Sequence, residues 1–210
     1  MNFELGPFPF RTLPLNPLRR THVTDRPAFS AKYSFTLTSQ DRRRELPERI
    51  FIGRDVTETA AHVLLKLFAF LIFYRPRLQL GPNLHNDNIP FVPDLVELDY
   101  ELRPRLWIEC ADCGTGKLNK LAVKVPEAEI WVMKRDPADT EFLLRAMARE
   151  DLRRNRYQIL TLDPEMFTEA LGLLQTRNEI LWVTGEFEPP ELQLDFNGLW
   201  FDAPFTVTKF

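Results

Sequence analysis

Fifteen consecutive residues, Ala60 to Tyr74, are interrupted only by His62 and Lys66 in an otherwise apolar run. A membrane span takes about 20 apolar residues, so this run is too short to cross a bilayer. It suits about four turns of helix. A helix that is apolar nearly all round must be covered on most of its sides, so the remaining chain has to supply that cover. Asp55, with Glu58 three residues later, reads as an Asp form of the capping box that opens the helix. Pro76 closes it.

Strand patterns lie on both sides of this helix. Ala31–Thr38 and Arg49–Arg54 precede it as a hairpin around the polar stretch Ser39 to Arg44. After the polar loop Gly81 to Asn88, strands are expected at Phe91–Leu98, Arg105–Cys110, Glu127–Met133 and Tyr157–Leu162. Helices are expected at Gly114–Val123, Pro137–Arg149 and Pro164–Leu174. Glu179–Glu186, Leu192–Phe196 and Leu199–Phe205 form a closing set of strands, with Asn197-Gly198 as a two-residue hairpin turn. Alternating strands and helices predict an α/β protein with a mixed β-sheet flanked by helices and additional C-terminal strands. Residues 1–28 hold Pro7, Pro9, Pro14, Pro17 and Pro27 and read as a proline-rich extension; residues 29–210 read as one domain.

The net charge of -3 provides no global attraction for nucleic acid, so any such surface must be a local patch. Two cysteines are too few for a disulfide-stapled secreted domain. The opening MNFELGPFPF has neither a basic nor an apolar leader region, so a cytoplasmic protein with no membrane association is expected.

The stretch Pro93 to Glu109 carries the chemistry. A turn at Tyr100–Arg103 pairs Asp99 with Pro104, which sets Val96 opposite Trp107 and Asp94 opposite Glu109 on one face. Opposed Cβ atoms stand about 4.5–5.5 Å apart, and like charges there repel. Water, a shared proton or a cation must offset that repulsion. Carboxylate oxygens and water suit Mg²⁺ or Mn²⁺. The structural alternative is a polar strand end in solvent, with Glu58 as a capping residue and Lys117 and Lys120 as solvated helix lysines.

Asp94, a hairpin and Glu109 resemble the acidic half of the PD-(D/E)XK nuclease signature, and Glu58 is similar to its helix glutamate. Thr57-Glu58-Thr59 before the apolar helix, Pro93-Asp94, Trp107-Ile108-Glu109 and Lys117 to Leu121 together resemble the YaeQ family. The similarity runs from about Lys32 to Phe201 and leaves out the proline-rich arm. The resemblance implies a restriction-endonuclease-like core and a family without established activity. It also implies a Mg²⁺- or Mn²⁺-dependent phosphodiesterase acting on nucleic acid, with Asp94, Glu109 and Glu58 as metal ligands. One departure is plain: the signature lysine falls at Ala111. Lys117 and Lys120 follow on one helix face, and Lys120 is the expected replacement for orienting water. The alternative function is a nuclease fold without catalysis that binds protein or nucleic acid. Protein partner and oligomeric state stay open.

Other patterns are weaker. Cys110-Ala-Asp-Cys113 sits at the head of a helix as a thioredoxin-like pair does, but the preceding elements do not form a thioredoxin unit, so both thiols are expected reduced and non-catalytic. His22, His62 and His85 show no zinc-ligand spacing. Gly114-Thr115-Gly116-Lys117-Leu118 lacks the first glycine and the hydroxyl of a phosphate loop. Trp107 and Trp131 read as core residues; the clusters Arg42-Arg43-Arg44 and Arg153-Arg154 with Arg156 read as solvated charge, with contact to phosphates as the alternative.

Overall fold

The computed structural model describes residues 31–81, 89 and 91–210. The proline-rich extension and the polar loop after Gly81 lie outside the described residues.

The elements follow in the order β1 (Ala31–Ser39), β2 (Arg49–Arg54), α1 (Ala60–Phe73), β3 (Leu78–Leu80), β4 (Leu95–Leu98), β5 (Pro104–Cys110), α2 (Thr115–Lys124), β6 (Glu129–Lys134), α3 (Pro137–Arg149), β7 (Tyr157–Leu162), α4 (Pro164–Leu173), β8 (Arg177–Phe187), β9 (Pro190–Phe196) and β10 (Leu199–Lys209). They build an α/β fold on one mixed ten-stranded sheet, ordered β2-β1-β8-β9-β10-β7-β6-β5-β4-β3. β5, β6 and β7 run parallel through the crossover helices α2 and α3, and β1 runs parallel to β8.

Both edges of the sheet, β2 and β3, pack against α1, as do β4, β5, β6 and β8. The sheet therefore curls about this helix, and every residue from Val63 to Phe73 is buried. This is the cover that an all-round apolar helix requires. Side chains of β5–β7 alternate between two cores, as strand geometry dictates. Leu106, Ile108, Trp131, Met133, Leu160 and Leu162 face α1 and α4. Trp107, Ile130, Val132, Tyr157 and Ile159 face α2 and α3.

Three local expectations need correction. Thr59, not Asp55, caps α1: its side chain accepts the His62 amide at 3.3 Å. Glu58 precedes the helix and reaches back to the Asp55 amide at 2.9 Å, which is half of a capping box. β4 starts at Leu95, so Asp94 stands just outside the strand, and the short strand β3 had no recognised pattern. The arginine clusters are not simply solvated charge. Arg44 donates to the Leu71 and Ile72 carbonyls at 2.6 and 3.2 Å, satisfying the free C-terminal acceptors of α1. Arg156 donates to Ala128 and Val125 carbonyls at the end of α2.

Candidate functional site

His62 and Lys66 lie four residues apart on one side of the first turns of α1, and Glu58, four residues before His62 and just ahead of the helix, reaches the same side. Asp94, at the approach to β4, meets them. His62 Nε2 lies 3.1 Å from Asp94 Oδ1, and Lys66 Nζ 3.3 Å from the same oxygen. Lys66 also donates to Glu58 in a close ion pair, and His62 Nδ1 lies 3.6 Å from Glu58 Oε1. The second oxygen of Asp94 accepts the Cys110 amide at 2.7 Å. The fixed backbone donor anchors the carboxylate to the end of β5.

Glu109, one residue earlier on β5, is served by α2 and by its own strand. Its carboxylate accepts the Trp107 indole N–H at 2.7 Å and is paired with Lys117 of α2 at 2.6 Å. Lys117 also reaches the Val92 carbonyl at 3.3 Å. Trp107 is fully buried and acts as a donor to Glu109, not as an exposed stacking platform.

The hairpin register holds where Leu95 pairs with Ile108, Val96 with Trp107 and Glu97 with Leu106. It shifts at a bulge, so Leu98, not Asp99, pairs with Pro104. Asp94 and Glu109 thus stand at adjoining strand ends with different partners: Asp94, just before β4, is held by His62 and Lys66 of α1, while Glu109 of β5 is held by Trp107 and Lys117. They still sense one another, because the Asp94 charge helps to raise the Glu109 pKa.

The electrostatics separate the two acids. Burial opposes ionisation of Asp94, yet His62, Lys66 and the Cys110 amide together hold its pKa below the ordinary value. Burial likewise works against the Lys66 ammonium, and the Asp94 and Glu58 carboxylates outweigh it and raise its pKa. For Glu109 burial wins: its pKa is raised despite Lys117 and the indole N–H. Cys110 and Cys113 are free thiols, both buried. Burial pushes Cys110 well up and Cys113 up to about 12. A thioredoxin-like pair needs the opposite shift.

Lys120 is exposed and has no hydrogen bond or ion pair among the described residues; Lys117 is the lysine of α2 that reaches an acid. At Ala111, in place of the signature lysine, the carbonyl accepts from Lys134, a buried lysine of β6, at 2.8 Å. Sequence reasoning passed over Lys134, His62 and Lys66. The last two left a trace, as the only polar residues of an apolar helix, one turn apart and in step with Glu58.

Ligand atoms of Glu58, His62 and Asp94 lie within 4.8 Å of one another, and Glu109 does not join this group. Two carboxylates suit Mg²⁺, and the added imidazole suits Mn²⁺ or a later transition ion. This donor set fits a divalent cation. Glu58, Lys66 and Asp94 open on a cleft of about 690 Å³, walled by Phe51 and Gly53 of β2 and by Leu80 of β3. The cleft is the seam where the two edges of the curled sheet approach. Among the described residues no helix is long and apolar enough to cross a membrane.

The fold and site define an α/β protein with a mixed sheet wound about a buried helix and a charged cluster at its open seam. The sequence profile of the YaeQ protein family matches residues 27–185, and the chain belongs to that family. It is similar in fold to the crystal structure of the YaeQ protein from Xanthomonas axonopodis pv. citri, with TM-score 0.65 and 21% identity over 85% of this chain and 97% of that one. The YaeQ protein from Pseudomonas syringae is likewise similar, with TM-score 0.65 and 15% identity over 86% and 96%. No curated protein matches the chain.

Proposed function

We propose that the seam is the hydrolytic centre of a Mg²⁺- or Mn²⁺-dependent phosphodiesterase acting on nucleic acid, on a core of the restriction-endonuclease type. The observation that carries this reading is that three largely buried acids, Asp94 and Glu109 at adjoining strand ends and Glu58 before α1, are each paired with a helix lysine, Lys66 or Lys117. Removing ions from water costs several kcal/mol per ion, and such arrangements concentrate where chemistry is done.

Glu58, Asp94 and His62 are the residues that would hold the cation. Such an ion, when bound, supplies positive charge against the phosphate and acidifies water. Glu109, with a pKa raised by burial, is suited to accept the proton of an attacking water as its oxygen bonds to phosphorus; the P–O bond to the ester oxygen breaks, and that oxygen leaves as an alcohol with a proton from solvent. Lys117, paired with Glu109, is the lysine that stands where it could orient the water, the role expected of the lysine missing at Ala111. Cleavage of labelled DNA and RNA in Mg²⁺ or Mn²⁺ tests the proposal. It should vanish with chelator and in Asp94→Ala; cleavage that survives both refutes it.

A second reading is a nuclease fold that binds protein or nucleic acid without turnover. Lys66 favours it, because its ammonium links Glu58 and Asp94 as a cation would. It requires no cleavage with any divalent ion.

A further inference from the structure

The site accounts for Lys117 but leaves the rest of α2 unexplained. The helix reads Thr-Gly-Lys-Leu-Asn-Lys-Leu-Ala-Val-Lys and contains no acid. Leu118, Leu121 and Ala122 are its buried side, while Lys120 and Lys124 are exposed. Neither lysine has an ion-pair partner among the described residues. At about 1.5 Å per residue, Lys117, Lys120 and Lys124 extend about 10 Å along the helix from Glu109. The basic run does not stop there. Arg156 donates to the carbonyls of Val125, which closes α2, and Ala128 at 2.5 and 2.7 Å. These bonds fasten the loop carrying the exposed Arg153 and Arg154 to the far end of the helix. Two nearby acids have other partners: Glu150 takes the Thr115 hydroxyl at 2.5 Å, and Glu127 lies 3.7 Å from Arg105. Asp151, exposed in the same loop, is the one acid there that offsets part of the Arg153 and Arg154 charge.

We infer that α2 and the Arg153-Arg154 loop form a docking track for the sugar–phosphate backbone of a nucleic-acid strand, leading to Glu109. The inference rests on the nucleic-acid half of the proposed function and assigns the binding to particular side chains. Lys120, Lys124 and Arg153 pair with no carboxylate among the described residues, and Arg154 stacks on the Phe210 ring at 4.1 Å with its charge still exposed. A line of cations about as long as a few phosphates gives local attraction in a chain whose overall charge is -3. Lys120, expected to orient water, thus acts one helical turn away from the chemistry.

The test is binding of fluorescent single-stranded DNA and RNA oligonucleotides, at several salt concentrations and without divalent ions. Each lost phosphate contact should lower the slope of log K against log salt by about 0.7. Lys120→Gln/Lys124→Gln should therefore flatten it by about 1.4, and Arg153→Gln/Arg154→Gln similarly. Arg49→Gln, on the far edge strand β2, should leave the slope unchanged. An unchanged slope in both double variants, an equal effect of Arg49→Gln, or binding to anionic vesicles in place of oligonucleotides overturns the track. Wild-type protein that hydrolyses bis-p-nitrophenyl phosphate but binds no oligonucleotide refutes the track and spares the hydrolytic reading. Salt-dependent binding without turnover does the reverse.

Discussion

Lys66→Met isolates the electrostatic core of the site. The side chain is only 10% exposed, and its ammonium neutralises Glu58 and Asp94, exposed 14% and 12%. Met keeps the aliphatic stem within α1 and removes the charge, leaving two carboxylates without their shared cation. Breaking a buried pair from one side costs about 3–5 kcal/mol. For a domain of this size about 1 kcal/mol moves Tm by roughly 2–4 °C, so the variant should melt about 6–20 °C lower. The Asp94 pKa is depressed in the fold, so its contribution is present above the ordinary value of 3.8 and lost as pH falls through the depressed one. The Lys66 pKa is raised, so its contribution is present below the ordinary 10.5 and lost as pH rises past the raised one. Both therefore act in full at pH 7, where the comparison belongs. The variant also vacates a cation position. Mn²⁺ at a hundredfold above its Kd should restore about 2.7 kcal/mol, and it should stabilise the variant more than the wild type. Urea unfolding with and without Mn²⁺ reads both effects. A loss below about 1 kcal/mol, the range of exposed ion pairs, refutes the argument; so does equal stabilisation of both proteins by Mn²⁺.

Other outcomes follow from the same geometry. Glu109→Gln should unfold at no lower urea concentration than wild type at pH 7, because burial disfavours the Glu109 charge. That relative advantage should shrink as pH falls through the raised Glu109 pKa toward 4.5, since a raised carboxyl contributes most when protonated. Neither Cys110 nor Cys113 should react with a thiol reagent in native protein at pH 8, while both should react after unfolding; rapid native reaction or a reversible disulfide contradicts their burial and raised pKa values.

Much of the fold was legible because it depends on local patterns. Asp136-Pro137 and Asp163-Pro164 give a capping side chain and a proline at the helix start, and α3 and α4 begin there. Asn197 and Gly198 both take positive φ, 53° and 87°, as their tight turn needs. The apolar run at Ala60–Phe73 implied a covered helix, but no local signal says that one sheet supplies the cover by curling. That depends on pairings far apart in sequence, such as β1 with β8. The site divided in the same way. The Asp94–Glu109 hairpin was readable from the register near Val96 and Trp107. The turn of Asp94 toward α1 was not, because alternation lapses where the strand has not begun. The polar interruptions His62 and Lys66 were visible, but their meaning required Asp94 in space. Lys120 and Lys117 sit on one helix face, and only packing distinguishes the lysine that meets Glu109 from the one left in solvent.

The most direct test of the central claim is the single-turnover cleavage rate of an oligonucleotide in Mn²⁺ by Glu109→Gln, beside wild type of equal stability. Gln keeps the acceptor for Trp107 and removes the base and the Lys117 ion pair. General-base participation is worth about 10²–10⁴ in rate, so the variant should be slower by at least about 10². A variant that cleaves at the wild-type rate would contradict the account.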